Sequence, residues 1–149
     1  MTSTLDSNQE ELSSRQQDKV DNLWIVKPTQ SSQGKGIYLI DDLSELNLKD
    51  DRAVICKYIS NPLLVNNHKF DLRIYVLLTC IDPLRIYVYN EGLARFASEP
   101  YDMTSTANAK KNLYQHLTNY SINKKSDNFS QNKSVLERDH GNKWSLSAL

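Results

Sequence analysis

The sequence predicts an α+β fold with a mostly antiparallel sheet and few helices. Two observations carry most of that expectation. Phe70 to Leu78 alternates, with Phe70, Leu72, Ile74, Val76 and Leu78 on one side of the chain and Asp71, Arg73 and Tyr75 on the other. After a turn at Asp82-Pro83, Leu84 to Tyr89 alternates again. A period of two is the mark of a strand, so the pair reads as a long antiparallel hairpin. Upstream, the apolar run Leu23-Trp24-Ile25-Val26 is closed by Lys27-Pro28. The loop Thr29 to Gly36 follows, and then Ile37-Tyr38-Leu39-Ile40, which gives strand, loop, strand.

The remaining elements fall around these. Met1 to Asn22 is polar and reads as a flexible lead-in, with the folded part expected over 23–149. Asp42 to Leu48 has room for a short helix. Ala53 to Ile59 reads as a third strand, broken by Asn61-Pro62. Asn90-Glu91-Gly92 marks a turn or bulge, after which Leu93 to Ala97 continues the sheet. Past Pro100 the chain is polar and loop-rich to about Gly141, and Trp144 to Leu149 resembles the first turns of a helix.

Composition narrows the function classes. The 149 residues fit one domain or a piece of a larger one. Eighteen Lys and Arg balance 18 Asp and Glu, so bulk charge gives no argument for nucleic-acid binding. No run approaches the roughly 18 apolar residues that span a bilayer, so no membrane partner is expected. Cys56 and Cys80 form no CxxC pair, which suits a reducing, cytoplasmic setting. His68, His116 and His140 are too scattered for a zinc site.

Several segments are able to carry chemistry. In Ser31-Ser32-Gln33-Gly34-Lys35-Gly36 two glycines allow backbone N–H groups to approach an anion, and Lys35 adds charge; a plain hairpin turn explains the same residues. The loop is not a Walker A motif, and it lies between strands rather than before a helix. Lys27 ends the first strand beside it, either as a phosphate contact or as a solvated strand end. Asp71 and Arg73 place a carboxylate and a guanidinium on the polar face of an apolar strand, preceded by Lys69. Arg95 sits in the apolar stretch Gly92 to Ala97, where a buried arginine needs an anionic partner, structural or substrate. His116-Leu117-Thr118-Asn119-Tyr120-Ser121 concentrates hydroxyls and amides, as a capped loop also does. Lys143 by itself reads as a surface residue.

Together the segments WIVKP, SSQGKGIYLI, KYISNPLLVNNHKFDLRIYVLLT, DPLRIYVYNEGLARFAS, HLTNYSINKKSDNF and GNKWSLSAL resemble the tubulin–tyrosine-ligase-like enzymes, which are ATP-grasp ligases. They run in the family's order from Trp24 to Leu149, and their wording is most similar to the polyglutamylase branch. The resemblance implies an ATP-grasp-like fold, here an incomplete domain. It implies ligation of free L-glutamate to glutamate side chains of tubulin tails, through an acylphosphate. A truncated, non-catalytic relative that binds nucleotide or microtubules is the alternative.

The resemblance also assigns roles. Lys27, Gln33 and Gly34 would hold ATP phosphates, and Cys56, Lys57, Tyr58 and Ile59 would line the adenine pocket. Lys69 and Asp71 would contact the nucleotide, as would Thr118 and Asn119. Arg73 would stand near the transferred phosphate as the catalytic cation. Arg95 would hold the carboxylate of the incoming amino acid, with Tyr120, Ser121 and Lys143 around it. Gln33 stands where the family usually carries arginine, and Cys56 where glutamine is common. Mg2+ would be held by acidic and asparagine residues in a segment beyond Leu149. The implied protein is a monomer of the microtubule cytoskeleton, at a cilium or basal body among other places.

Overall fold

The computed structural model describes residues 22–46, 52–103, 106–132 and 139–149. The expected lead-in, apart from Asn22, lies outside these residues, as do the last positions of the expected helix at Asp42 to Leu48. The chain divides into two compact units. Unit 1 is Met1–Pro62 with Asp102–Leu113, and unit 2 is Leu63–Tyr101 with Tyr114–Leu149.

Unit 1 is built on a three-stranded antiparallel sheet. Strand β1 (Trp24–Pro28) lies between β2 (Tyr38–Ile40) and β3 (Ala53–Lys57). The expected strand, loop, strand is thus a direct β1–β2 pair. Leu23, Val26 and Ile40 are almost wholly buried, and Leu39, Ile25, Tyr58 and Ala109 join them. Ala109 belongs to helix α1 (Thr106–Lys111), which packs against β2. Between β2 and β3 the chain makes a 3-10 turn, Leu43–Glu45, in place of the expected longer helix. Asp42 caps it: its Oδ1 accepts from Ser44 N at 2.7 Å while Glu45 Oε1 accepts from Asp42 N at 3.2 Å.

An ionic clip closes unit 1. Lys110 Nζ donates to Asp41 Oδ1 and to both oxygens of Glu45, at 2.7 and 2.8 Å. The hydrogen bond from Lys110, and then the contact with Glu45, hold the Asp41 carboxyl below its ordinary value of 3.8. Burial pulls the Lys110 ammonium down, but the bonds to Asp41 and Glu45 outweigh it and its pKa rises. A depressed carboxyl contributes stability above its unfolded pKa, and that contribution is lost as pH falls through the folded value. Unit 1 is therefore expected to weaken below pH 3.8, and Asp41→Asn to flatten that acid limb. Urea midpoints followed by circular dichroism between about pH 2 and 5 would check it; identical slopes for variant and parent would contradict it.

Unit 2 is a four-stranded antiparallel sheet in the order β4-β5-β6-β7. The long hairpin is present: β5 (His68–Cys80) pairs with β6 (Arg85–Phe96), with register shifts between Ile74 and Val76 and between Leu78 and Cys80. Two short strands join only its base. β4 (Leu64–Val65) pairs with His68 and Lys69, and β7 (Lys143–Ser145) pairs with Leu93 to Arg95. The far half of the hairpin is a two-stranded ribbon exposed on both sides; Val76 is 60% and Tyr89 66% accessible. The alternation of Phe70 to Leu78 thus sorts buried from exposed residues only near the base.

At that base the apolar face carries Phe70, Phe96 and Trp144, with ring centroids 5.6 Å apart for the first pair and 4.7 Å for the second. Trp144 therefore lies in strand β7 opposite Ala94, not in the expected helix; only Leu146–Ala148 turns, as 3-10. Pairing with β6 and stacking on Phe96 outweigh the local preference. The loop-rich stretch after Pro100 holds α1 in unit 1 and a single helical turn, α2 (Tyr120–Asn123), in unit 2. No helix among the described residues is long and apolar enough to cross a membrane.

Candidate functional site

The site in unit 2 follows from strand alternation and register. Along β5, Lys69, Asp71 and Arg73 fall on one face. Directly paired residues in an antiparallel ladder share a face, and the register places Asp71, Arg95 and Lys143 in one row across β5, β6 and β7. Five residues singled out from the sequence therefore stand together: four cations and one carboxylate.

Arg95 has a partner in Asp71. Its Nε donates to Oδ1 at 2.8 Å and its Nη2 to Oδ2 at 2.6 Å. These hydrogen bonds raise the Arg95 pKa, burial opposes them, and the charges of Asp71 and Tyr75 reinforce them. Of the two partners left open by the sequence, structural or substrate carboxylate, the structure supplies the structural one. Among the described residues neither Arg73 nor Lys143 has an ion-pair partner. The face thus keeps a positive excess.

Beside this row lies a cavity of about 90 Å³ that opens to solvent. Arg95, Lys143, Thr118 and Tyr120 line it, four of the residues chosen from the sequence. Asn119 and Ser121 do not. Asn119 stands at the N-cap of α2, where its carbonyl accepts from Ile122 N and Asn123 N, while Ser121 lies within the turn.

Residues that sequence reasoning did not single out complete the cavity wall. Asn123 is fully buried. Its Oδ1 accepts from Ser98 N and Ser98 Oγ, both at 2.8 Å, and its Nδ2 donates to Leu117 O at 2.6 Å and Asn119 O at 3.0 Å. It thus ties the Thr118–Tyr120 segment to the end of β6. Asn142 does the same on the other side: Oδ1 accepts from Ser130 N at 2.7 Å and Nδ2 donates to Ala97 O at 3.1 Å. Gly141 has φ +66°, and a Cβ there would stand 2.7 Å from Ser130 O, so glycine permits this close approach. Phe96 and Phe129 supply the apolar wall. A lone asparagine in a polar stretch carries no sequence signal for such a role.

Unit 1 carries the other candidates. Lys27 is exposed and shares a sheet face with Ile25, Leu39 and Cys56. Lys57 lies on the opposite face, across from Trp24. Among the described residues β3 pairs only with β1, so alternate backbone N–H and C=O groups of Ala53–Lys57 face away from β1. Tyr58 is buried and its N–H donates to Leu23 O at 2.8 Å, whereas Ile59 is exposed. The glycine loop turns through left-handed backbone at Gln33 (φ 61°), Gly34 (φ 78°) and Gly36 (φ 71°). A Cβ on Gly36 would stand 3.2 Å from Pro28 Cγ, so the loop folds back onto the end of β1, next to Lys27.

A cation-rich sheet face beside a cavity lined with hydroxyls and carboxamides is chemically suited to anionic groups such as carboxylates or phosphates. The family model described as Tubulin-tyrosine ligase family matches residues 1–149, and the chain belongs to that family. It is similar to the tubulin polyglutamylase ttll-5 of Caenorhabditis elegans, 53% identical over 85% of this chain and 17% of the relative. It is 49% identical to the human tubulin polyglutamylase TTLL5, over 85% of this chain and 10% of that protein. A probable beta-tubulin polyglutamylase of Tetrahymena thermophila is 46% identical over 91% of this chain and 11% of its own length. The chain thus spans less than a fifth of each of these relatives.

Proposed function

We propose that this chain is the nucleotide- and amino-acid-handling part of an ATP-grasp ligase that adds glutamate to glutamate side chains of tubulin. The observation that carries the proposal is the row Asp71, Arg95, Lys143, with Arg73 and Lys69 on the same sheet face and Thr118 and Tyr120 across the cavity. Relatives named as tubulin polyglutamylases support it.

In this reading the tubulin carboxylate attacks the γ-phosphate of ATP, ADP leaves, and the amine of glutamate displaces phosphate from the acylphosphate. The protein contributes position and charge. Arg95 and Lys143 are cations suited to the two carboxylates of glutamate. Arg73, with no ion pair among the described residues, is available to a transferring phosphoryl group. Lys27 and the left-handed glycine loop of unit 1 suit the phosphates of ATP, and the edge of β3 that no other described strand pairs with suits adenine. Microtubules are the partner and the microtubule cytoskeleton, including cilia, the setting. Among the described residues no three His, Cys, Asp or Glu side chains stand close enough to cage a metal ion.

Ligand-detected NMR on the 149-residue chain tests the amino-acid part. L-Glutamate is expected to bind at least about tenfold more tightly than glycine or L-tyrosine, since each lacks the second carboxylate. Equal affinity for all three would refute the assignment.

A further inference from the structure

We infer that Asp71 is a positioning residue for carboxylate recognition: it takes one edge of the Arg95 guanidinium and so aims the other at the ligand. The inference rests on the proposed glutamate site and adds a role to the nucleotide contact expected of Asp71.

A guanidinium presents two edges that match a carboxylate, Nε with one terminal nitrogen and the pair of terminal nitrogens. Asp71 occupies the first, through Nε at 2.8 Å and Nη2 at 2.6 Å. Two contacts fix both the position and the plane of the group. Nη1 and the second hydrogen of Nη2 make no hydrogen bond among the described residues, so the terminal edge stays open. Arg95 also lines the cavity, whereas Asp71 does not, which places the carboxylate behind the arginine relative to the ligand space. The pair is only part-buried, with side-chain exposures of 23% for Arg95 and 40% for Asp71, so it is a weak stabiliser of the fold. Its geometry matters more: an arginine held in its binding rotamer loses less freedom when a ligand arrives. Asp71 also offsets repulsion between Arg95 and its row neighbour Lys143.

The test uses L-glutamate and its two monoamides, glutamine and isoglutamine, titrated into the full chain. Arg95→Ala identifies which amide the arginine rejects, because that discrimination disappears in the variant. Asp71→Asn, of the same shape but uncharged, is expected to lower that same discrimination by about tenfold and to leave the other within about twofold. Asp71→Glu keeps the charge and is expected to restore most of the loss. A purely structural role would weaken all three ligands alike. That pattern, or an Asp71→Asn protein with parental discrimination, overturns the inference while the site itself stands. If the parent chain binds none of the three ligands, the proposed function and this inference both fall.

Discussion

Replacing Asn123 by leucine is expected to destabilise unit 2 by on the order of 4 kcal/mol. The side chain is fully buried and all of its hydrogen-bonding capacity toward protein is used: two bonds accepted from Ser98, two donated to the carbonyls of Leu117 and Asn119. Leucine fills the volume and removes all four. Asn119 O keeps its backbone donors, but Ser98 N, Ser98 Oγ and Leu117 O lose this partner at about 1–3 kcal/mol each, and relaxation of the Thr118–Tyr120 segment recovers part of the sum. Urea denaturation followed by tryptophan fluorescence in a Trp24→Phe background measures the effect, since Trp144 then reports on unit 2 alone. Asp127→Asn, an exposed change on the same stretch, should stay within about 0.5 kcal/mol. Similar midpoints for the two variants would mean that Asn123 does not hold the segment. The cavity should open as well, because Asn123 connects the strand carrying Arg95 to the turn carrying Thr118 and Tyr120.

What was legible in the sequence divides along physical lines. Alternation made Phe70 to Leu78 and Leu84 to Tyr89 readable as the hairpin, and short apolar runs at Leu23 to Val26 and Ile37 to Ile40 made the β1–β2 pair readable. The sharing of a face by Lys69, Asp71 and Arg73 follows from the same period. The row that joins Asp71 to Arg95 and Lys143 was not readable, because register depends on three segments meeting, two of them far apart in the chain. Trp144 to Leu149 was misread for the same reason: its local pattern suits a helix, and its strand exists only against β6. Asn123 and Asn142 were invisible, since an asparagine in a polar loop looks the same whether it faces solvent or bonds four buried groups. The family resemblance singled out Arg95 and Lys143 without indicating that Asp71 stands behind the arginine.

Arg95→Ala is expected to weaken L-glutamate binding by about a hundredfold, equivalent to about 2.7 kcal/mol, with ATP binding changed by less than about twofold. A bidentate guanidinium–carboxylate contact has no substitute in the cavity. Lys143 offers a point charge, and Thr118, Tyr120 and the asparagines offer neutral donors. Arg95→Lys should recover only about tenfold of the loss, because charge returns without the fork. The fold should tolerate these changes: the Asp71 carboxylate left behind is 40% accessible and can be hydrated, which limits the stability cost to about 1 kcal/mol. That separation of effects gives the measurement its force. Calorimetric titrations that show equal losses for glutamate and ATP would mean that Arg95 serves the sheet as a whole rather than the amino acid. An unfolding midpoint that collapses in Arg95→Ala would mean that the Asp71 pair is an architectural element. Loss of glutamate binding alone, in a folded protein that still takes ATP, is the outcome that the row across β5, β6 and β7 requires.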